Sequence, residues 1–377
     1  MALRALARVN LAAIERNVGR LRARLAGGAG LCAVVKADGY GHGATAAAGA
    51  ALSGGARSLA VATADEALGL RAAGIGAPVL VMGALSGDEL PVALAARAEL
   101  VAWNERFVED LVGAAAAAGA PTIPVHVKLD TGMGRLGTRR QAEALTVMEK
   151  VLASPPALEL AGVMTHFATA DVDPEFVAEQ LRQFEPFAAE ARRRRPGLVV
   201  HAANSAATLT APASHLDLVR CGIAIYGCDP MNSNPDDHEL EPALELTSYV
   251  AAVKQACPGD TVGYGRRFTA ERETLIATLP IGYADGIRRA LSNNCEVLVR
   301  SRRYPLVGTV SMDNITLDLG PDSDVAVGDR ATIIGSDGSE RQTAEELAQR
   351  VGTINYEVLV GISGRVPRVY HRDGQPS

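Results

Sequence analysis

Cysteine is sparse and unpaired in this chain of 377 residues: Cys32, Cys221, Cys228, Cys257 and Cys295 make five, with no C-x-x-C among them. An odd, scattered set in mostly apolar surroundings excludes a disulfide framework and a zinc site, and fits buried thiols in a reduced, cytoplasmic protein. The seven histidines contain no H-E-x-x-H, so no metal is expected. Long apolar runs are missing as well. Nothing approaches the ~18 uninterrupted apolar residues of a membrane span, and "MALRALARVNLAAIERN" meets a charge every few residues, unlike a secretory leader. A basic excess is the last absence. With 37 basic against 43 acidic residues the net charge is −6, and the one dense basic run, Arg192 to Arg195, closes a helical stretch. That run reads as a solvated helix end, so neither nucleic acid nor membrane is expected as a partner.

What is present is rhythm. From about residue 11, short β-branched runs alternate with alanine-rich helical stretches: "LCAVVK", "SLAVAT", "PVLVMG", "ELVAWN", "PVHVKLD", "LELAGVMTH", "LVVHAAN" and "LDLVRCGIAI". Eight successive βα units without a long interruption predict a closed (β/α)8 barrel over 11–237. A chain this long hides roughly 75% of its unfolded surface, enough for a second core. The texture changes at "DPMNSNPDDHELEP", 229–242, the best linker candidate. Strand-like pieces follow, broken by one helix, "TAEELAQRVG", so 238–377 reads as a mainly-β domain. The leading strand, 3–9, has no place in the barrel and is expected to pair onto that domain. The fold class is α/β: a barrel followed by a β domain.

Active sites of such barrels lie where the strands end, at the carboxyl face. That rule selects Lys36, Lys128 with Asp130, His166, Asn204 with Ser205, and Arg220. A lysine desolvated behind Val34 and Val35 can have a lowered pKa and form a Schiff base; the "VATADE" of the next strand offers it no carboxylate partner close in sequence. Ser205 opens a helix after the seventh strand, and Gly222 with Ile223 follows the eighth. Anion sites recur at that location, where a helix N-terminus and backbone N–H groups favour a phosphate. Each residue alone also has a plain structural explanation, a surfacing strand or a serine cap. Together, a reactive lysine and a phosphate pocket point to pyridoxal 5′-phosphate, which carries an aldehyde and a phosphate. A Schiff-base aldolase acting on a sugar phosphate shares both features.

The motifs "VVKADGYGHG", "HVKLDTGMGRLG", "THFATAD", "HAANSAA", "VRCGIAIYG", "VGYGRRF", "PIGYADG", "GTVSMDNITLD" and "INYEVLVGISGRVPRVY" resemble the alanine racemase family, in order and over nearly the whole chain. The resemblance implies a barrel that binds pyridoxal phosphate, a β domain, and a head-to-tail homodimer whose active sites use both chains. It implies that Lys36 holds the cofactor covalently and that Tyr40, Ser205, Gly222, Ile223 and Tyr356 bind its phosphate. Tyr264 matches the second catalytic base, facing the lysine of the other chain; one base on each face of Cα lets the proton leave and return on opposite sides. A phenol is a weak base at its ordinary pKa of ~10, and His166 and Arg220 are expected to tune it. Arg220 matches the arginine on the pyridine nitrogen. Arg135 and Met312 match residues at the substrate carboxylate, Lys128 a position that is often carbamylated, and Tyr283 part of a narrow entrance. The sequence after "GYADG" departs from the family pattern, and no role carries over to Arg288 or Arg289.

The implied activity interconverts L- and D-alanine, supplying D-alanine for peptidoglycan. A racemase of broader specificity, reaching serine, shares every residue named. A barrel-type amino-acid decarboxylase would be expected to carry a catalytic cysteine in its second domain, where this chain has Tyr264. A non-catalytic pyridoxal phosphate carrier would need the barrel alone.

Overall fold

The computed structural model describes residues 4–377, and the chain divides into two compact units, one formed by residues up to Ala13 with Tyr226–Ser377 and the other by Ile14–Ile225. A first strand, β1, spans Leu6–Asn10. The second unit is a closed parallel barrel of β2 (Gly30–Val34), β3 (Ser58–Val61), β4 (Val79–Val81), β5 (Glu99–Ala102), β6 (Ile123–Lys128), β7 (Leu158–Met164), β8 (Val199–His201) and β9 (Leu218–Cys221). Closure is made by β9 pairing back onto β2, from Gly30 opposite Leu218 to Ala33 opposite Cys221. These strands are short apolar runs because both faces are covered, by helices outside and by side chains inside.

Helix starts are written in the sequence. Thr63 and Glu66 form a capping box for Ala64–Ala72, Asn104 caps Glu105–Ala118, and Asp173 caps Pro174–Arg194, each by accepting an N–H of the first turn. Val177, Leu181, Phe184, Ala188 and Ala191 give the last of these a buried stripe at three- and four-residue spacing. Its basic end is fully paired. Arg192 meets Asp217 at 2.8 Å, Arg193 Glu190 at 2.6 Å, Arg194 Glu149 at 2.7 Å, and Arg195 bonds Glu159.

In the other unit, β1 lies between two strands, antiparallel to Leu244–Tyr249 and parallel to Arg368–Arg372. The strand expected at 3–9 is thus observed at Leu6–Asn10; Leu3 lies outside the described residues. A separate sheet joins Ala252–Ala256, Thr274–Leu279 and Ile315–Gly320, and a small ribbon pairs Thr261–Val262 with Phe268–Thr269. The stretch 229–242, polar enough to read as a linker, is tied down instead. Asp229 is buried and accepts the N–H groups of Met231 and Ser233, and Asn234 caps a single turn at Pro235–His238. Short polar side chains that close on their own backbone look like a linker in sequence. Two helices, not one, follow: Ala344–Arg350 and Asn355–Val360. The second is too short for its period to show. Four cysteines are buried, while Cys257 is exposed.

The helix at Asn355 is fixed by one side chain. Asn355 Nδ2 donates to the Asp229 carbonyl at 2.7 Å and to Glu345 Oε1 at 2.9 Å, fully buried. Asn355→Ala is expected to destabilise the protein by about 1–3 kcal/mol, because two buried acceptors lose a donor; urea unfolding of the two proteins measures it.

Candidate active site

Beyond Val34 the chain enters a tight turn in which Ala37, Asp38 and Tyr40 have φ of +51°, +53° and +53° and Gly39 has +62°. Side chains rarely adopt this region, so surrounding bonds must hold it. Asp38 accepts the Ala44 N–H at 2.8 Å, and Glu66 accepts the Ala37 N–H at 2.6 Å. Glu66, the last carboxylate in "VATADE", caps its own helix and bonds the backbone of the residue after Lys36, reaching the amine only through its field. The Lys36 amine is half-buried, and its pKa is lowered by burial first and by the Arg135 charge second, with Glu66 opposing.

Arg220, on β9, is the centre of the barrel's polar interior. Its Nη2 faces the Thr165 carbonyl at 2.8 Å, the Ala202 carbonyl at 2.9 Å and His166 Nδ1 at 3.1 Å, and its Nη1 donates to His201 Nδ1 at 2.9 Å. The guanidinium is 2% exposed, and burial lowers its pKa to about 10. It stays charged at neutral pH, and it drives both contacting histidines well below the ordinary range, after burial as the larger cause. Its Nε is buried and has no hydrogen-bond partner among the described residues.

Lys128 ends β6 and is buried, with a pKa lowered to about 8 by burial first, then by Arg220 and Arg135, with Asp130 opposing. Asp130 shapes the glycine-rich loop that carries Arg135, accepting the N–H groups of Gly132 and Gly134 at 3.0 Å and Arg139 Nε at 3.4 Å. Burial alone would raise its carboxyl; those donors more than offset it, and the net shift is downward. Arg135 itself is exposed.

At the ends of β8 and β9, Ser205 Oγ accepts the N–H of Gly222 at 2.9 Å and of Ala224 at 3.4 Å. Asn204, rather than the serine, caps the helix Ser205–Thr210. The Tyr40 hydroxyl lies directly over Gly222, and a Cβ there would run into it. Burial raises the Tyr40 pKa, so the hydroxyl keeps its proton. Ile223 is fully buried beside these groups in sequence.

Lys36, Tyr40, Lys128, Arg135, His166, Ser205, Arg220, Gly222 and Ile223 thus belong to the barrel unit. Tyr264, Tyr283, Met312 and Tyr356 belong to the other. Tyr264 sits in the bend of the small ribbon between Gly263 and Gly265, at φ +74° and +72°, and its carbonyl accepts the Thr309 hydroxyl at 2.7 Å. Tyr283 and Met312 come from loops laced together, with Tyr283 N–H on the Ser311 carbonyl and Ala284 N–H on the Met312 carbonyl, both at 3.0 Å. Tyr264 is 74% exposed, Met312 52% and Tyr283 43%. Tyr356 is half-buried on the helix fixed by Asn355.

Sequence reasoning missed the residues that support the site. Gln180, fully buried, donates to Thr131 and to the His166 carbonyl and accepts the Ala168 N–H; Thr131 and Thr165 share a bond of 2.8 Å. His126 and His201, which lead inward from Arg220, were also missed. The available signal was a histidine set within an apolar strand, at "PVHVK" and "LVVHA".

A desolvated lysine, a buried arginine with an open donor and a tyrosine-roofed glycine turn give this barrel a candidate enzyme site. The family models for "Alanine racemase, N-terminal domain" and "Alanine racemase, C-terminal domain" match residues 9–230 and 243–370. Alanine racemase of Desulfosudis oleivorans is 43% identical over 383 aligned residues, covering 97% of this chain and 96% of its own. That of Mycobacterium tuberculosis is 43% identical over 369, covering 97% and 95%. Among solved structures, alanine racemase from the D-cycloserine producer Streptomyces lavendulae superposes with a TM-score of 0.93 at 39% identity, covering 98% of each chain. The Bacillus anthracis enzyme with bound L-Ala-P gives 0.90 at 38%, covering 100% of this chain and 97% of its own. The chain belongs to the alanine racemase family.

The four lysines of the chain are Lys36, Lys128, Lys150 and Lys254, few enough to follow individually. NMR of the protein isotopically dimethylated in the absence of carbon dioxide and bicarbonate is expected to show a lysine titrating at about pH 8, its signal absent from Lys128→Arg. Lys150, paired with Glu109 and Glu105, is expected to titrate above the ordinary lysine range.

Proposed function

We propose that this chain interconverts L- and D-alanine with pyridoxal 5′-phosphate held in the barrel, supplying D-alanine for peptidoglycan. The observation that carries the reading is the buried, unpartnered Nε–H of Arg220 in the unit that also contains the desolvated Lys36. A buried donor left unsatisfied is costly, and an aromatic ring nitrogen is an acceptor of the right kind. The residues present fit the cofactor. Its aldehyde, when bound, takes up the amino group and its ring withdraws electrons from Cα, making that proton removable.

The remaining work falls to side chains. Lys36 would hold the aldehyde carbon, and its lowered pKa leaves more neutral amine to accept or return a proton on one face. Tyr264 would do the same on the other face, acting on the L-isomer while Lys36 acts on the D-isomer. Arg220 can donate but not accept, so the ring nitrogen keeps its lone pair and stays a weak electron sink, which favours prompt return of the proton. His166 accepts from Arg220 through Nδ1, leaving Nε2 to carry the ring proton beside the cofactor. Tyr40, Ser205, Gly222, Ile223 and Tyr356 would bind the phosphate. Because Ser205 Oγ accepts from Gly222 N–H, its hydroxyl hydrogen is what it has to give. Arg135 and Met312 would meet the substrate carboxylate, and Tyr283 would narrow the entrance toward alanine.

The same reading divides the labour at about residue 237 and joins two copies head to tail, each lending Tyr264 and Met312 to the other's barrel. The exposure of Tyr264, Tyr283, Met312 and Ile354 supports it, since large apolar side chains on one unit call for a cover. A cytoplasmic location accords with thiols left free, and among the described residues no helix is long and apolar enough to cross a membrane. Lys128 would be carbamylated: an amine with a pKa of about 8 is partly neutral at physiological pH and can add to carbon dioxide with release of a proton. The carbamate's negative charge would then orient Arg135.

Proton NMR in deuterated water with pyridoxal phosphate and L-alanine is expected to show loss of the Cα proton together with D-alanine by chiral assay; loss of neither would overturn the reading. Lys36→Ala is expected to abolish the visible absorbance that covalent attachment gives the cofactor. Mixing inactive Lys36→Ala with inactive Tyr264→Phe is expected to restore activity, since half of the sites in a mixed dimer hold both bases. With labelled bicarbonate, a carbamate NMR signal is expected to grow as pH rises through about 8 and to be absent from Lys128→Arg.

A further inference from the structure

Arg220 is the near end of a chain of side chains that runs through the barrel. Arg220 Nη1 to His201 Nδ1 is 2.9 Å, His201 Nε2 to His126 Nδ1 is 2.8 Å, and His126 Nε2 to Glu99 Oε2 is 3.1 Å. The two imidazoles stand edge to face, 89° apart. His201 is fully buried, His126 3% exposed, and the Glu99 side chain 26% exposed. Glu99 opens β5 whereas Lys36 follows the end of β2, so in a parallel barrel the chain joins the face opposite the site to the residue at its centre. Gly162 makes the crossing possible. It lies on β7 between the two histidine strands, and a Cβ there would collide with the His126 ring.

Every proton in this chain is determined by its chemistry. A guanidinium only donates, so His201 Nδ1 must be the acceptor. His201 then carries its proton on Nε2 and gives it to His126 Nδ1. His126 is left with its proton on Nε2, aimed at a carboxylate, which only accepts when ionised. Donation runs one way from Arg220 to Glu99, and no reversed arrangement exists, because Arg220 cannot accept.

We propose that Glu99 is a positioning residue for the reaction: as the terminal acceptor of this relay it locks both histidines as Nε2–H tautomers and pins Arg220 Nη1, fixing where the open Nε–H points. The proposal rests on the reading of Arg220 as the partner of the cofactor's ring nitrogen. The relay is a brace, not a proton wire. Outer groups that orient a ligating side chain are typically worth about 10–100-fold in affinity where this has been measured for metals, and the same order is expected here.

The test uses full-length protein with histidine ring nitrogens labelled, with and without pyridoxal phosphate. NMR is expected to show Nε2–H tautomers for His126 and His201 in the wild type and in Glu99→Gln, whose side-chain oxygen still accepts. Glu99→Leu is expected to shift both ring signals and to weaken pyridoxal phosphate binding by about tenfold or more, with Glu99→Gln within about threefold of wild type. An Nδ1–H tautomer or a doubly protonated ring at either histidine in the wild type would overturn the proposal. So would Glu99→Leu with unchanged ring signals and affinity, or equal loss of affinity in both variants. Should the wild type bind no pyridoxal phosphate, the functional reading fails separately, and the ring signals still decide the relay. If Glu99→Leu does not fold, the wild type and Glu99→Gln carry the test.

Discussion

A buried positive charge with no carboxylate bonded to it organises the barrel. Moving an ion of this kind out of water costs several kcal/mol even after relaxation, and Arg220 is compensated only by neutral acceptors: two carbonyls and two imidazole nitrogens. That choice has consequences for everything around it. The carbonyls of Thr165 and Ala202 must converge on one point, which constrains how β7 and β8 end. The imidazoles must present lone pairs, so neither can be charged. Lys128 gives up part of its affinity for a proton, to burial first and to the guanidinium's field second. The guanidinium thus adds to what burial does to the protonation of its neighbours, while its own high intrinsic pKa lets it remain charged through burial.

The chain divides its cations by this property. Arginine does the permanent work, in surface pairs such as Arg192 with Asp217 and Arg303 with Glu340, and at the centre of the barrel. Lysine is scarce, yet two of the four have lowered pKa values in the barrel. An amine is the cation that burial can discharge, and only a discharged amine is a nucleophile or a base. The scarcity of lysine elsewhere leaves these two standing out in composition as well as in chemistry.

The barrel was legible because its strands are short, apolar and evenly spaced, and because strand ends in such a fold are where polar residues gather. Lys36, Lys128, Asp130 and Arg220 follow from that rule alone. The residues behind them do not. Glu99 starts β5, His126 lies within β6 and His201 ends β8; their meaning depends on which side chains meet across the barrel interior, and Gly162 matters only as room for a ring. Glu66 caps its own helix; its bond to the turn after Lys36 depends on two loops meeting. The run of positive φ from Ala37 to Tyr40 was also hidden, since only its glycine is marked for it. Tyr264, Met312 and Tyr356 entered through family resemblance, because nothing in local pattern ties those loops to a barrel's chemistry.

The position of β1 bears on how the protein is made. Its two partners, Leu244–Tyr249 and Arg368–Arg372, lie on the far side of the whole barrel sequence. At about 5–20 residues per second of synthesis, β1 waits on the order of tens of seconds for Arg368–Arg372, while the barrel sequence between them is already complete. During that interval both of its edges are open to pairing with other chains. Arg4 and Arg8, which flank and punctuate the strand, keep a charge on that exposed segment until its partners arrive. The sheet of the β domain is thus a late product, completed when segments separated by the whole barrel sequence are joined.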